Sequence, residues 1–387
     1  MIFKIPPFAL QNANGIAVAE PIGNKLSKRT LFLKELSMKP IILFIDSRDM
    51  GGIESHVLNL ALALKKQHHL VEVIFWRCYQ SQAKHNFGLQ HHPIWPLLLA
   101  EGIPVKSVQG SISTLLKCVP KGAIVHSHGY KANLLNKLLC SIGRWHALPT
   151  HHNGDLGKGL LRIYVACDEL SSKLFHPISV SAPIYQRLAY GGSLITNFVT
   201  LPERDALERP SQSANQIAFV GRISPEKNAE GFCLLSQYLD GQQLHIYGEG
   251  VEKELLSKQY SQHYWYGQQN MAEHWSKIDL LVMPSLEEGL PLAALEAMAH
   301  GIPVCAFAVG DLPALIRDGV NGWLIPKGDL KAMANRICQW QSLGDQEKLK
   351  IRKQSQAIIK IHYSVEAVLP AITNIYQQVS LKPSLLG

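Results

Sequence analysis

The sequence predicts an α/β protein with two doubly wound domains. Along most of its 387 residues, short apolar runs of strand length alternate with segments of helical period. This alternation is typical of a mainly parallel sheet with helices on both faces. The apolar runs form two separate series, and the polar, proline-containing stretch Thr200–Gln216 lies between them. The chain is long enough for two domains, each with a sizeable core.

The first series extends from Pro40 to about Leu201. It contains four predicted strands and three predicted helices. The strands are Ile41–Asp46, Val71–Trp76, Ala123–Val125 and Ile178–Val180, and the helices are Ser55–Lys66, Lys131–Leu139 and Ala182–Ala189.

The second series extends from Gln216 to about Pro326, and Ser364 is a typical cap for a last helix that is kinked at Pro370. We therefore predict an N-terminal extension of disordered character at 1–37 and domains at 38–203 and 204–362, followed by a C-terminal helical segment at 363–387. The strands predicted in the second series are Ile217–Val220, Leu244–Tyr247, Leu280–Met283 and Val304–Ala308.

Composition indicates a globular protein of the cytoplasm. The chain is 47% hydrophobic and 18% charged, and we find no apolar run long enough to span a membrane. The first ten residues contain two prolines where a signal peptide needs an unbroken apolar core. The seven cysteines are odd in number and form no CxxC pair, so reduced core thiols are the simplest interpretation.

A net charge of +8 favours contact with phosphate groups, whether on nucleotides, anionic lipids or nucleic acid. Nucleic acid is disfavoured, because the sequence has no zinc-ligand spacing, RNA-binding aromatic motif or long basic run. Within the extension, Lys25–Leu36 interleaves basic and apolar residues. This segment is either a peripheral helix at the inner face of the membrane or a solvated tail.

The stretch Ser285–Ala308, SLEEGLPLAALEAMAHGIPVCAFA, places Glu288 and Glu296 eight positions apart across a loop-to-helix junction. Pro291 suits the first helical position. Unpaired N–H groups at a helix start attract a diphosphate, whereas carboxylates accept hydrogen bonds from paired hydroxyls. The pattern therefore suits hexose, diphosphate and ribose in a row. The alternative is a solvated pair of glutamates on an amphipathic helix.

The run EGLPLAALEAMAHGIPVCA, followed by GDLPALIRDGVNGWLIPKGD, closely resembles the donor-site signature of family 4 glycosyltransferases of the group 1 type. The resemblance covers roughly Pro40 to Tyr376. It implies the GT-B fold, with two Rossmann-like domains facing across a donor-binding cleft and a last helix that crosses back to the first domain. It also implies retaining transfer of a hexose from a nucleotide sugar to a glycan or glycolipid hydroxyl. A UDP-sugar is favoured over a GDP-sugar, and no metal or other cofactor is expected.

On the donor side, the resemblance assigns Arg222 and Lys227, in FVGRISPEKN, to the diphosphate. It assigns Glu288 to the transferred hexose and Glu296 to the ribose. Backbone N–H groups near the first glutamate are expected to contact sugar or phosphate, although Pro291, in EGLP, removes one donor found in EGFG-like relatives. These N–H groups belong to Gly289, Leu290 and Leu292.

In the first domain, the resemblance points to the glycine loop in DSRDMGGIESH, which is expected to face the donor phosphates across the cleft, and within it to Gly52 as a donor-binding residue. His128, in VHSHGYKANL, matches the position that approaches the transferred sugar. His151, His152 and Asn153 are candidates for the acceptor wall. A histidine metal site is an open alternative, because the spacings are not diagnostic. The turns 248–250 and 267–269 either frame the nucleobase or are ordinary tight turns.

Three other functions remain as alternatives. A GT-B epimerase or phosphorylase would use the same donor site, and a non-catalytic nucleotide-sugar-binding subunit would be expected to lack the cations. Arg222 and Lys227 are both present, which disfavours the binding subunit. A nicotinamide dehydrogenase is disfavoured because GxGxxG is absent.

Overall fold

The computed structural model describes residues 39–47, 50–77, 92–152, 160–188, 192–202 and 216–381. The predicted N-terminal extension, including Lys25–Leu36, lies outside the described residues. So do Asn153 and most of the predicted linker.

The first domain is built on a seven-stranded sheet in the order β3-β2-β1-β4-β5-β6-β7, with parallel pairing throughout. Every residue of β1 is buried, as expected for a central parallel strand covered on both faces. The strands are β1 Ile41–Ile45, β2 Val71–Phe75, β3 Val105–Ser107, β4 Ile124–His128, β5 His146–His151, β6 Ile178–Ser179 and β7 Ser193–Leu194. The helices are α1 Gly52–Lys66, α2 Ile94–Ala100, α3 Ile112–Cys118, α4 Tyr130–Gly143, α5 Leu160–Ser171 and α6 Ala182–Arg187.

The second domain has a six-stranded parallel sheet in the order β10-β9-β8-β11-β12-β13. The two parallel sheets confirm the predicted pair of doubly wound domains. The strands are β8 Gln216–Val220, β9 His245–Tyr247, β10 Tyr264–Gly267, β11 Ile278–Met283, β12 Val304–Phe307 and β13 Gly322–Ile325. The helices are α7 Ala229–Leu234, α8 Lys253–Gln259, α9 Leu292–Ala299, α10 Leu312–Leu315, α11 Leu330–Ser342, α12 Asp345–His362 and α13 Val365–Leu381.

The largest correction to the predicted strands concerns β4, which continues to His128 rather than ending at Val125. Both histidines of this extension, His126 and His128, are buried. Histidine in a sequence suggests a loop at the end of an apolar run. Here the buried rings pack against other aromatic rings of the same edge, so the chain stays extended.

The cysteines fit the predicted core thiols only in part. Cys140, Cys233 and Cys305 are buried, whereas Cys167 and Cys338 are exposed. Among the described residues, no helix has both the length and the apolar content to cross a membrane.

Two chain segments pass side by side where the chain crosses between the two sheets. The Val199 N–H donates to the Tyr363 carbonyl at 2.9 Å, and the Val365 N–H donates to the Val199 carbonyl at 3.1 Å. The Ser364 hydroxyl then accepts from the Ala367 N–H at 3.2 Å, which is the hydrogen bond of a helix N-cap. These hydrogen bonds fix where the last helix begins.

Helix α13 completes the hydrophobic core of the first domain. Leu369 and Ile372 are buried in the same cluster as the residues of β1 and β2. Tyr376 is fully buried, and its hydroxyl lies 2.8 Å from His126 Nδ1. The first domain therefore depends on residues from the far end of the chain.

We expect Leu369→Ala to destabilise the protein by about 2–5 kcal/mol, because truncation of a buried leucine removes apolar contacts and leaves a cavity. Leu381→Ala, on the same helix, is the matched control. Leu381 is 64% exposed, so its loss should change stability by less than about 0.5 kcal/mol. Urea unfolding of both variants measures the difference. Equal losses would show that α13 is not part of the core.

Candidate functional site

The candidate site lies at the carboxyl ends of both sheets, where parallel α/β folds place their ligands. In the first domain, this edge carries the glycine loop after β1 and the histidines at the ends of β4 and β5. In the second domain it carries the loops after β8, β11 and β12, which comprise residues 221–228, 284–291 and 308–311.

The loop after β8 presents two cations from a rigid base. Arg222 is exposed, and Lys227 ends a short 3-10 turn, Pro225–Lys227. Asn228 then adopts a left-handed conformation with φ 54° and caps α7 by accepting from the Gly231 N–H. A 3-10 turn therefore separates Ser224 from α7, which begins at Ala229.

The loops after β8 and β11 are joined by hydrogen bonds. Asn228 Nδ2 donates to the Pro284 carbonyl at 3.0 Å, and the Leu286 N–H donates to the Glu226 carbonyl at 2.8 Å. Because these hydrogen bonds join the two loops, the cations and the glutamate loop keep a fixed spacing.

Lys227 and Glu288 form an ion pair, with Nζ 2.6 Å from Oε2. The Glu288 side chain is 4% exposed and that of Lys227 is 26% exposed. Glu288 Oε1 is buried and has no hydrogen-bond partner among the described residues. A buried acceptor without a partner costs free energy, so this oxygen is suited to a ligand hydroxyl.

The backbone of the glutamate loop is held from behind by Gly310. This glycine has φ +58°, and a Cβ there would lie 2.2 Å from the Glu288 carbonyl oxygen. The Asp311 N–H donates to the Gly289 carbonyl at 3.0 Å, and Asn197 Nδ2 donates to the Leu290 carbonyl at 2.8 Å. The glutamate loop is therefore fixed by both the loop after β12 and a residue near the domain crossing.

The helix after this loop starts one residue later than predicted. Pro291 has φ −72° and ψ 128°, so it is the N-cap of α9, and Leu292 is the first helical residue. Glu296 lies one turn further along α9, and burial raises the pKa of its carboxyl to about 7. Glu296 is thus partly protonated at neutral pH.

Arg222 approaches the glycine loop of the first domain. A Cβ on Gly51 would lie 3.4 Å from Arg222 Nη2 and 3.0 Å from Glu54 Oε2. Gly52, the predicted residue, begins α1 and is exposed, with open space where a Cβ would point. Its environment leaves room for a ligand but does not by itself require glycine.

Sequence reasoning missed Glu54, which is buried beside the glycine loop. Burial raises the pKa of its carboxyl, although a hydrogen bond with Ser47 and the charge of Arg222 oppose the shift. An acidic residue in the first turn of a helix is ordinary. The sequence therefore contains no signal that sets Glu54 apart.

Three histidine rings meet at the acceptor-side edge. His128 ends β4, His152 follows β5, and His56 projects from α1. His128 Nδ1 lies 3.0 Å from His152 Nε2. Burial and the neighbouring rings hold the pKa values of His128 and His152 well below the usual range, and burial lowers that of His56 to about 4. The three rings are therefore neutral at pH 7.

Two further histidines of this edge have structural partners. His126 lies between the Tyr376 hydroxyl and the Thr150 hydroxyl, at 2.8 and 2.5 Å. His151 lies 2.9 Å from the Ser172 hydroxyl and 3.4 Å from Asp168 Oδ2. The prediction that His151 lines the acceptor wall is therefore wrong, because its ring is turned into a buried polar network.

The buried polar network around His151 contains an ion pair and several hydrogen bonds. Lys137 and Asp168 pair at 2.6 Å, with both side chains 2% exposed. Asn133 donates to Asp168 Oδ2 at 3.1 Å and accepts from Ser127 at 2.8 Å. Since these partners are far apart in the chain, sequence reasoning did not find them.

The turn 248–250 packs against the cation loop. A Cβ on Gly248, whose φ is +151°, would lie 1.8 Å from the Gly221 carbonyl oxygen. The Ile223 N–H donates to the Glu249 carbonyl at 2.9 Å. These contacts favour a tight turn that supports Arg222, and a role for this turn beside a nucleobase stays a prediction.

Two Rossmann-like domains with cations, carboxylates and histidines at their carboxyl edges define the GT-B class of fold. Residues 214–342 match the family model described as glycosyl transferases group 1. This match covers most of the second domain and contains Arg222, Lys227, Glu288 and Glu296.

Two relatives match short stretches of the chain. A D-inositol 3-phosphate glycosyltransferase of Streptomyces griseus is 44% identical over 71 residues, which are 18% of this chain and 15% of the relative. A putative colanic acid biosynthesis glycosyltransferase, WcaL of Escherichia coli, is 28% identical over 105 residues, or 26% of each chain. The chain thus matches about a quarter or less of the length of these two relatives.

A solved structure extends the similarity to both domains. Anabaena HepE in complex with UDP superposes with a TM-score of 0.72 at 17% identity, covering 88% of this chain and all of HepE. The GT-B fold is therefore confirmed. Over residues 214–342 the chain is similar to group 1 glycosyl transferases, and it also shares short stretches with two glycosyltransferases.

We expect Gly310→Ala to displace the glutamate loop and to destabilise the protein by more than about 3 kcal/mol, because backbone strain and a backbone clash add. Gly319→Ala is the matched control. Gly319 also has positive φ, +72°, but a Cβ there meets nothing within 4 Å, so only the strain of about 1–2 kcal/mol applies. Thermal unfolding compares the two. Similar losses would mean that close packing at Gly310 does not hold the loop.

Proposed function

We propose that the protein transfers a hexose from a UDP-sugar to a hydroxyl of a surface glycan or glycolipid, with retention of anomeric configuration. The observation that carries this proposal is the convergence of Arg222, Lys227 and Glu288 on two braced loops beside the first domain's glycine loop. This set of groups suits a sugar diphosphate, in which negative phosphates lie next to hydroxyls.

The diphosphate is assigned to the space between Arg222 and the Gly51–Gly52 loop. When the glycosidic bond breaks, the bonding electrons leave with the diphosphate, so its negative charge grows. Cations that are already in place stabilise this transition state more than the ground state. Arg222 supplies a planar fork of donors, and Lys227 a point charge. The role needs no metal ion.

The transferred hexose is assigned to Glu288, with His128 approaching it from the first domain. The buried Oε1 of Glu288 has no partner among the described residues, while Oε2 is held by Lys227. One carboxylate oxygen is thus oriented by the ion pair, and the other can accept from a sugar hydroxyl. The acceptor hydroxyl attacks from the face that the diphosphate leaves, and its proton passes to the departing diphosphate.

The ribose is assigned to Glu296, one turn into α9, where two ribose hydroxyls can donate to a single carboxylate. Backbone N–H groups of Gly289, Leu290 and Leu292 are assigned to the sugar and phosphate between the two glutamates. UDP is chosen over GDP because the structural neighbour HepE holds UDP. A polysaccharide acceptor is chosen because a relative is described as a colanic acid biosynthesis glycosyltransferase.

The experiment that tests this function is a screen of UDP- and GDP-sugars. First, thermal unfolding identifies the nucleotide sugar that stabilises the protein. Release of UDP is then measured with and without glycan or glycolipid acceptors. We expect release that depends on an acceptor. An epimerase would convert the sugar without releasing UDP, and a binding subunit would show stabilisation without turnover.

Arg222→Ala should lower kcat by about 100-fold and change the donor KM little, because the interaction strengthens as charge develops on the diphosphate and is worth roughly 3 kcal/mol. Lys331→Ala, a change at an exposed cation outside the site, is the control and should turn over normally. Turnover should also persist in EDTA. Near-normal kcat for Arg222→Ala would remove its assigned role, and complete loss on chelation would contradict the metal-free assignment.

The two glutamates should respond differently to free UDP, which has ribose but no hexose. With a pKa of about 7, Glu296 is about one-tenth ionised at pH 6 and nine-tenths ionised at pH 8. UDP affinity should therefore rise by up to about tenfold over this range, because the ionised carboxylate accepts from the ribose. Glu296→Gln should remove this rise. Calorimetry at both pH values measures it.

Glu288→Gln is the matched control for this measurement, because it should keep the pH-dependent rise and bind UDP almost normally. It should instead lower the transfer rate. Titration of UDP itself contributes equally to the affinities measured with the wild-type protein and the two variants. This contribution therefore cancels when the three proteins are compared. If Glu288→Gln abolished the rise and Glu296→Gln preserved it, the donor would bind in the orientation opposite to the one proposed.

A further inference from the structure

The histidine cluster formed by His56, His128 and His152 has the composition of a metal site. One ring nitrogen from each residue lies within 4.8 Å of the other two. The three residues come from separate elements, α1, the end of β4 and the position after β5. Their meeting is therefore a property of the fold and not of a local sequence motif.

The ring nitrogens of the cluster are not all paired. His128 Nε2 is buried and makes no hydrogen bond among the described residues, whereas the His56 ring interacts with the side chain of Asn197. A buried polar atom left unpaired costs free energy. The neighbouring His126 shows the contrast, because both of its nitrogens lie at hydrogen-bonding distance from hydroxyl groups. The unpaired Nε2 of His128 is therefore open to a ligand.

The spacing of the rings matches a metal ion bound by three imidazoles. The ring centroids are 5.5 Å apart for His56 and His128, 4.9 Å for His56 and His152, and 5.3 Å for His128 and His152. With Zn–N distances of about 2.0–2.1 Å and tetrahedral angles, the centroids of three coordinated imidazoles lie about 5.2 Å apart.

We infer that His56, His128 and His152 bind a divalent transition-metal ion of the zinc class through three imidazole nitrogens. Neutral imidazole suits Zn²⁺, Co²⁺, Ni²⁺ and Cu²⁺, whereas Mg²⁺ and Ca²⁺ prefer oxygen ligands. Three protein ligands leave the fourth tetrahedral position open to water or to a hydroxyl. His152 is only partly buried, so an ion can enter from that side.

The consequence for catalysis rests on the proposed function. His128 is assigned there to the transferred sugar, so an ion that binds His128 would compete with this contact. We therefore expect Zn²⁺ to inhibit transfer and EDTA to restore it. The ion would lie on the acceptor side and would not replace Arg222 or Lys227 at the diphosphate.

Cobalt is the probe that tests the site, because tetrahedral Co²⁺ has visible absorption bands that octahedral Co²⁺ in solution lacks. Chelator-treated full-length protein is titrated with Co²⁺ alone, without any nucleotide sugar. We expect the bands to saturate at one Co²⁺ per chain and to disappear when Zn²⁺ is added. Absence of tetrahedral bands in the wild-type protein would overturn the site.

The variants His56→Ala and His152→Ala should each bind Co²⁺ at least about 100-fold more weakly, since each loses a direct ligand. His362→Ala is the matched control. His362 is exposed at the end of α12 and is not one of the three cluster residues, so its loss should leave the titration unchanged. The chain has 17 histidines, so bands that survive in both cluster variants would mean adventitious binding and would overturn the inference.

A second measurement covers the case in which a cluster variant fails to fold. X-ray absorption of the zinc-loaded wild-type protein counts the coordinated imidazoles. Three imidazoles support the site, and one or two contradict it. Because neither measurement uses a donor sugar, failure of the metal site leaves the proposed transfer intact. Metal binding without any turnover of UDP-sugars would instead contradict the proposed function alone.

Discussion

Parallel strand pairing is the constraint on which the site depends. Every described pair of neighbouring strands in both sheets is parallel, so each crossover returns the chain to the same edge before the next strand begins. The loops that carry Arg222, Glu288 and His128 therefore gather at the carboxyl edges although they are distant in sequence. The end of each buried strand fixes where the following loop starts. The site side chains therefore do not depend on regular secondary structure within the loops.

The burial of the Glu288 charge explains why three separate groups hold the glutamate loop in place. Glu288 is almost fully buried and is paired with Lys227. A buried carboxylate without a cation would be strongly unfavourable, so the pair must form before any ligand arrives. Gly310 and Asn197 hold the backbone on either side of the pair. The loop is thus preorganised, and a bound ligand does not have to order it.

The sequence predicts the second domain well and the interior of the first domain less well. Arg222, Lys227, Glu288 and Glu296 fall within short motifs, so their loops can be assigned from local pattern alone. Glu54 and His56 fall on an ordinary amphipathic helix, and only the tertiary fold brings them to the edge. The buried partners Lys137 and Asp168 are likewise distant in sequence. Local periodicity carries no information about such contacts. The predicted β4 also ends three residues too early, because histidine is rarely counted as a strand residue.

The two sides of the cleft differ in charge: the second-domain side carries cations, and the first-domain side carries neutral histidines. On the second-domain side, Arg222 and Lys227 are the two cations to which we assign the leaving diphosphate. On the first-domain side, His56, His128 and His152 are neutral, because burial opposes their protonation. Neutral imidazoles can orient a hydroxyl without drawing the diphosphate toward the wrong wall. A neutral imidazole also has a lone pair that a transition metal can bind, so the metal site that we infer would compete with the sugar that we assign to the same wall.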